Sequence, residues 1–503
     1  MTASTLRRVI AGVGRCCVRA PRVIAAVAAV SVTMPVAAQE PVDSAMNARI
    51  RDEGLHRARV MELFNHLTNV IGPRLTGSPA FKDAADWAVA RLISYGLADV
   101  HLESWPFGRG WALEGFTLEM LTPRYFPLIG YPEAWTPSTA GVITGRPAYI
   151  GDLANEDSVR AHAAELQGAI VLATRPQDRF LGADRPQPTA HDQPVPIGAP
   201  PRVVADGPVR GAALASVLRD VHAAAVLQPT QGADGTLFVQ GQRSAGDDAV
   251  PSVMVAADHY NLIVRALQSG APVTLRVNVK SRYFSADTSG YNVIAEIPGS
   301  DPQVGDEVVL LGAHLDSWHA ATGATDNADA VATLMEAMRI LEVIGARPRR
   351  TIRMALWGGE EEGLLGSRAY AQQHYAGDAN AGARAKFSVY LNQDPGTGPI
   401  YGWYLEGNRA VKPIFDAWLE PFRDLGARRN IIDKIGSTDH LSFVALGLPG
   451  FNSVQDYLDY DTREHHTNMD FFERVRGEDL REAAIVLASF AWHAAMRATK
   501  IPR

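Results

Sequence analysis

Cysteine is nearly missing from this sequence: among 503 residues only Cys16 and Cys17 occur, side by side near the start. A chain without later cysteines has no disulfide framework and no thiolate metal ligand in its main part. Any metal site there must use His, Asp and Glu. Acidic residues are missing before Glu40, while Arg7, Arg8, Arg15, Arg19 and Arg22 all precede it. The apolar run in this segment, Val23 to Met34, covers twelve residues and is short for a membrane span. With Val36-Ala37-Ala38 placed for cleavage before Gln39, residues 1–38 read as a secretory signal. The expectation is an exported protein, periplasmic or extracellular, with no stable membrane insertion after signal removal. The formal net charge is −7, and loss of the five leading arginines leaves about −12. An acidic mature chain argues against nucleic acid and anionic membranes as partners.

What remains is a globular composition, 47% hydrophobic and 20% charged, in a chain long enough for two or three domains. From Ala45 to Ile71 apolar residues recur at helical spacing, and Gly72-Pro73 ends the pattern. A second helix starts at Pro79, and Val100, Leu102 and Ser104 alternate as a short strand. Residues 39–124 are read as the first part of a catalytic domain. Residues 125–285 differ: proline and glycine are dense, short strands are expected at 148–150, 169–173, 224–227, 252–255 and 273–279, and 176–203 is a proline-rich loop. This predicts a small β-rich insert without a catalytic constellation of its own. From 286 to 503 strands alternate with helices, which predicts a mainly parallel mixed sheet sandwiched by helices.

The stretch from Ala313 to Asn327 organises that α/β pattern. It follows the apolar, partly β-branched run Glu307–Gly312, and a helical pattern (Val331, Leu334, Met335, Met338, Leu341) follows it. His314, Asp316 and Asp326 therefore sit where a strand hands over to a helix, the usual place for a ligand in an open α/β sheet. Five potential ligands lie at or beyond strand ends: His314, Asp326, Glu361, Asp394 and His466. One carboxylate can bridge two metals while the other four residues divide two to each, and imidazole with carboxylate suits zinc. Asp316, two residues past His314, can accept that histidine's other ring N–H. Glu360 and Glu361 are adjacent, so in an irregular turn one can bind metal while the other takes a proton from water. Blander readings stand beside these. The three glutamates 360–362 can simply complement a helix dipole, and Glu362 is expected to be solvated. His465-His466 can be a solvated pair, His319 and His440 are eligible but not needed, and Asp456, Asp459 and Asp461 can be surface.

The segments A-H-L-D-S-W, G-A-T-D-N-A, W-G-G-E-E-E-G-L-L-G-S, N-Q-D and H-H-T-N-M-D together resemble the co-catalytic zinc exopeptidases of family M28, over about residues 45–500. The resemblance implies a zinc exopeptidase fold with two Zn²⁺ per chain and a peptide substrate. It implies that His314 and Asp394 bind one zinc, that Glu361 and His466 bind the other, and that Asp326 bridges them. It makes Glu360 the general base and Asp316 the support of His314. The insert resembles a protease-associated domain. Ser437-Thr438-Asp439-His440 resembles the family's Ser-Asp-His loop, with its role open. The activity implied first is aminopeptidase; the alternatives are a carboxypeptidase Q-like dipeptidase, a glutaminyl cyclase and a non-catalytic receptor-like ectodomain.

Overall fold

The computed structural model describes residues 40–188, 201–244, 246 and 248–503. The expected signal, with Cys16 and Cys17, lies outside the described residues, as does part of the proline-rich loop. No helix among the described residues is long and apolar enough to cross a membrane.

The run read as a buried strand forms Val308–His314, the middle strand of a seven-stranded sheet. Val309, Leu311 and Ala313 face one core, and Val308 and Leu310 face the other. That alternation explains why the strand is apolar throughout: its period is two and both faces are covered. Burying each such side chain contributes about 1.5–3 kcal/mol. Thr351–Trp357 pairs with it in parallel on one side and Phe387–Asn392 on the other, and Gly450–Asp456 extends the parallel group. The chain thus leaves Val308–His314 for one neighbour and returns to the opposite one, which opens a crevice at the carboxyl ends of these strands. The remaining pairings are antiparallel: Ala98–Pro106 with Ser289–Ile297, the latter with Thr351–Trp357, and Thr397–Tyr404 with Gly450–Asp456. The sheet is therefore mixed, with parallel strands at its centre. Thr397–Tyr404 was not expected as a strand, since its Gly-Pro start reads as loop; as an edge strand it tolerates both residues.

Asp329–Val343 and Gly477–Met496 pack on one face with Ser44–His56 and Pro79–Ser94. Leu365–Tyr375 and His440–Val444 cover the other, around Trp357, Tyr370, Tyr390 and Phe443.

Between the first two antiparallel strands the chain makes a long excursion. Gly110–Thr122 and Thr274–Phe284 pair along their lengths and carry Phe126–Pro127 and Ile143–Gly145 in a four-stranded sheet. A five-stranded sheet follows, Gly130–Pro132, Ser252–Val255, Ala225–Pro229, Ile170–Leu172 and Ala148–Tyr149 in spatial order. The two sheets share a core of Leu118, Leu172, Leu227, Val253, Tyr260 and Leu275. The long strand Gly110–Thr122 was not foreseen.

The single helix expected over 45–71 is broken. Ser44–His56 ends, Val60–Asn65 restarts, and His66–Ile71 closes in a wider turn. A buried ion cluster makes the break. Arg339 donates to Glu53 at 2.8 Å and to Glu336 at 2.8 and 2.9 Å, and Glu336 also accepts the Arg59 backbone N–H at 3.0 Å. Tertiary contacts override the periodicity here. Arg339→Met would leave buried Glu336 without its cation and Glu53 with only the more exposed Arg57, so a loss of about 3–5 kcal/mol is expected in denaturant unfolding.

Candidate metal centre

Each expected ligand lies at the carboxyl end of the parallel group or beside it. His314 is the last residue of its strand, and Asp326 lies in the irregular turn Ala324–Ala328 before the helix. Glu360 and Glu361 follow Thr351–Trp357, and Asp394 follows Phe387–Asn392. His466 comes from a segment outside the sheet and has a left-handed backbone, φ +62°.

These side chains meet. His314 Nε2 lies 3.2 Å from Asp326 Oδ1 and 3.8 Å from Asp394. His466 Nε2 lies 3.4 Å from Asp326 Oδ2 and 2.8 Å from Glu361. The two oxygens of Asp326 thus face two different histidines. Asp326 Oδ2 and Glu361 Oε1 are buried without a hydrogen-bond partner. Orphaned carboxylate oxygens beside imidazole nitrogens are the donors a hard or borderline cation takes, so the residues fit a metal.

The electrostatics agree. Burial pushes the Glu361 carboxyl well up, helped by Asp326 and Asp316. Burial also raises Glu360, and Asp394, Asp439 and Glu361 add to this against the opposing His314. For His314 burial works against charge, but Glu360, Asp316, Asp326 and Asp394 outweigh it and hold its pKa well above the ordinary value. Burial resists ionisation of Asp326, yet His314 and His466 hold its pKa below the usual range.

A family model, Peptidase family M28, matches residues 292–491. Carboxypeptidase Q of Mus musculus is 25% identical over 457 residues, covering 90% of this chain and 88% of its own length. Among solved structures, a peptidase M28 precursor from Shewanella amazonensis is 25% identical with a TM-score of 0.67, covering 91% of this chain and 98% of its own. A zinc aminopeptidase from Bacillus subtilis shares the fold at 17% identity and a TM-score of 0.58, covering 88% and 96%. Over residues 292–491 the chain belongs to peptidase family M28. It is a hydrolase of the metallopeptidase class, and the expected mixed sheet flanked by helices is the fold of these relatives.

In this peptidase Asp316 works differently from the simplest expectation. His314 Nδ1 is 3.0 Å from the Asp316 backbone carbonyl and 3.6 Å from its carboxylate. The carboxylate instead accepts the backbone N–H groups of Glu360 and Glu361, each at 3.3 Å. It therefore ties the His314 loop to the glutamate turn. Glu362, expected to be solvated, is not. Its oxygens are buried, and burial with Asp316 and Glu361 drives its pKa well up. His319 is turned away from the centre: it lies against Trp111 and Tyr131 and bonds the Pro132 carbonyl at 2.8 Å. Burial pulls its pKa down to about 4. His440 is buried 3.2 Å from Glu406, apart from the ligand cluster. His465 is not a solvated side chain either; it is half-buried and stacks on Tyr460 with centroids 5.2 Å apart. Its ring also groups with Asp326 and His466 closely enough to share a metal. The orphaned Oε1 of Glu361 and its 2.8 Å approach to His466 favour Glu361 for that place. Asp461 is buried in a pair with Arg185 at 2.6 Å.

Three supports went unnoticed in the sequence. Asp470 accepts the backbone N–H groups of Thr325 and Asp326, at 2.7 and 3.2 Å. Asn452 donates to the Asp394 carbonyl and accepts from Asn392 at 2.8 Å. Arg74 is fully buried and donates to the carbonyls of Leu315, Thr322 and Gly323 at 2.7–2.9 Å. Burial draws its pKa down to about 10, so it stays charged at neutral pH. Gly323 itself has φ +58°, and a Cβ there would fall 2.3 Å from that of Ser317. Only Asp470, the last residue of the H-H-T-N-M-D motif, offered a signal; Arg74 stands in an ordinary Gly-Pro-Arg turn. Arg74→Met would strand those three carbonyls, so unfolding free energy is expected to fall by about 3 kcal/mol or more, read from denaturant midpoints.

Proposed function

We propose that the chain is an exported, dinuclear zinc exopeptidase that removes residues from the N-terminus of peptides. The observation that carries this is the placing of Asp326, with one oxygen toward His314 and the other toward His466. On this reading His314 and Asp394 hold one zinc, Glu361 and His466 hold the other, and Asp326 is shared. Zinc bound there would polarise the scissile carbonyl and make water a better nucleophile. Glu360 lines the same cavity of about 620 Å³. Its carboxylate takes the proton from the attacking water and returns it to the leaving amine. Asp316 orients both glutamates through their backbone N–H groups. The excursion is read as a protease-associated domain.

One observation favours a second reading, a dipeptidase like carboxypeptidase Q. The cavity is also lined by Arg202, Arg368 and Lys434, exposed side chains for which no ion pair is formed among the described residues. They would suit a free carboxylate close to the scissile bond. A dipeptidase should lose most kcat/KM when the dipeptide's C-terminus is amidated, and Lys434→Ala or Arg368→Ala should raise KM for the free acid only. An aminopeptidase should be indifferent to amidation and should stop when the N-terminus is blocked.

Glu360→Gln is expected to keep two zinc ions by elemental analysis while kcat falls by about 10²–10⁴-fold. Unchanged turnover would overturn the role of Glu360, and a single zinc in the active enzyme would overturn the dinuclear reading. Chelator should abolish activity, and added zinc should restore it.

A further inference from the structure

Four of the proposed ligands are carried by the sheet or its turns, whereas His466 is not. The segment that bears it takes its partners from the excursion. Asp184 accepts the backbone N–H groups of Asp459 and Thr462 at 2.8 Å, and Arg185 pairs with buried Asp461. Further along, Leu237 and Asn468 exchange two hydrogen bonds, at 2.7 and 3.0 Å. The Val239 backbone N–H donates to the His466 carbonyl at 3.0 Å. That bond holds the ligand's backbone in its left-handed conformation, which a residue with a Cβ adopts at some cost. The next residue reaches the ring: Gln240 Nε2 lies 2.9 Å from His466 Nδ1. Gln240 is itself anchored, since its carbonyl accepts from Ala134 N–H at 3.0 Å.

We propose that Gln240, supplied by the excursion, is a positioning residue that fixes the His466 ring, so that the excursion completes the metal centre. The proposal rests on His466 being a ligand. His466 Nε2 points at Glu361 and Asp326, so a cation takes Nε2 and the neutral ring carries its proton on Nδ1. The partner at Nδ1 must then accept. As placed, the Gln240 amide donates to Nδ1, which matches the tautomer whose Nε2–H donates to Glu361. A half-turn of the amide presents Oε1 instead, and an amide alone among neutral side chains of this length serves both tautomers. Partners of this kind set ring orientation and ligand basicity, and their loss costs about 10–100-fold in metal affinity.

The test is zinc affinity of the intact holoenzyme, measured by chelator competition, together with the visible spectrum of the cobalt-substituted protein. Gln240→Leu, similar in size but without polar atoms, should release one of two metals about 10–100-fold more readily and alter the cobalt bands of that site. Gln240→Lys, which can only donate, should do the same. Gln240→Glu, which can accept, should retain both metals with wild-type affinity. Wild-type affinity in Gln240→Leu, or equal loss in the Leu and Glu variants, would overturn the proposal. His466→Ala serves as the separate control: if it keeps both metals, the reading of His466 as a ligand fails instead.

Discussion

Too many carboxylates are buried together around His314. Asp316, Asp326, Glu361, Glu362, Asp394, Asp439 and Asp470 crowd the carboxyl ends of the central strands, with few compensating cations in contact. At 4 Å two like charges repel by about 4 kcal/mol even when the protein screens as a medium of dielectric 20. Burial drives Asp439 and Asp470 each up to about 7, as expected for acids that resist ionising in such company. A cluster of this kind is a poor way to stabilise a fold. It makes sense as a receptacle for divalent charge, and much of the surrounding structure serves to keep the carboxylates from moving apart or turning to solvent.

The means of restraint are mostly neutral donors and main-chain bonds. Asp470 and Asp316 each grip two backbone N–H groups, and Asn452 holds the carbonyl of Asp394. Such contacts orient a carboxylate without neutralising it, and they leave its outward oxygens available. Arg74 is the exception in charge but not in logic. Its guanidinium goes to carbonyls of the Leu315–Gly323 loop rather than to any of the clustered carboxylates, so it stiffens the loop without neutralising them.

This division explains what could be read in advance. Strand ends were legible because a strand buried on both faces must be apolar throughout, and the first polar residues after such a run mark where the sheet stops. His314, Glu361 and Asp394 announce themselves that way. The roles of the restraining residues did not, because a hydrogen bond from the Thr325 backbone N–H to Asp470, or one between Gln240 and His466, joins positions far apart in sequence and leaves no local pattern. The break near Arg57 was hidden for the same reason, since Glu336 and Arg339 impose it from another helix. Glu362 was misjudged because three consecutive glutamates look like a solvated helix start. Here they form a tight turn with Gly359 at φ +70°, which rolls the third carboxyl inward against Asp316.

The position of His466 follows from a limit of the architecture. Neighbouring parallel strands lie about 4.8 Å apart, and their ends present ligands from below and from the sides of a crevice. A second metal held only from those strands would be open on its far side. On the proposed dinuclear reading, the ligand that closes it descends from a segment beyond the sheet, and such a segment has no ladder to fix it. In this chain the ladder is borrowed: main-chain bonds at Leu237 and Val239 pair the excursion with residues 466–468 as a short antiparallel bridge. The excursion also walls the cavity through Arg185 and Arg202. On the proposed reading, holding a ligand and shaping the substrate's entry fall to the same element, so a displacement that widens the cavity would also pull at His466.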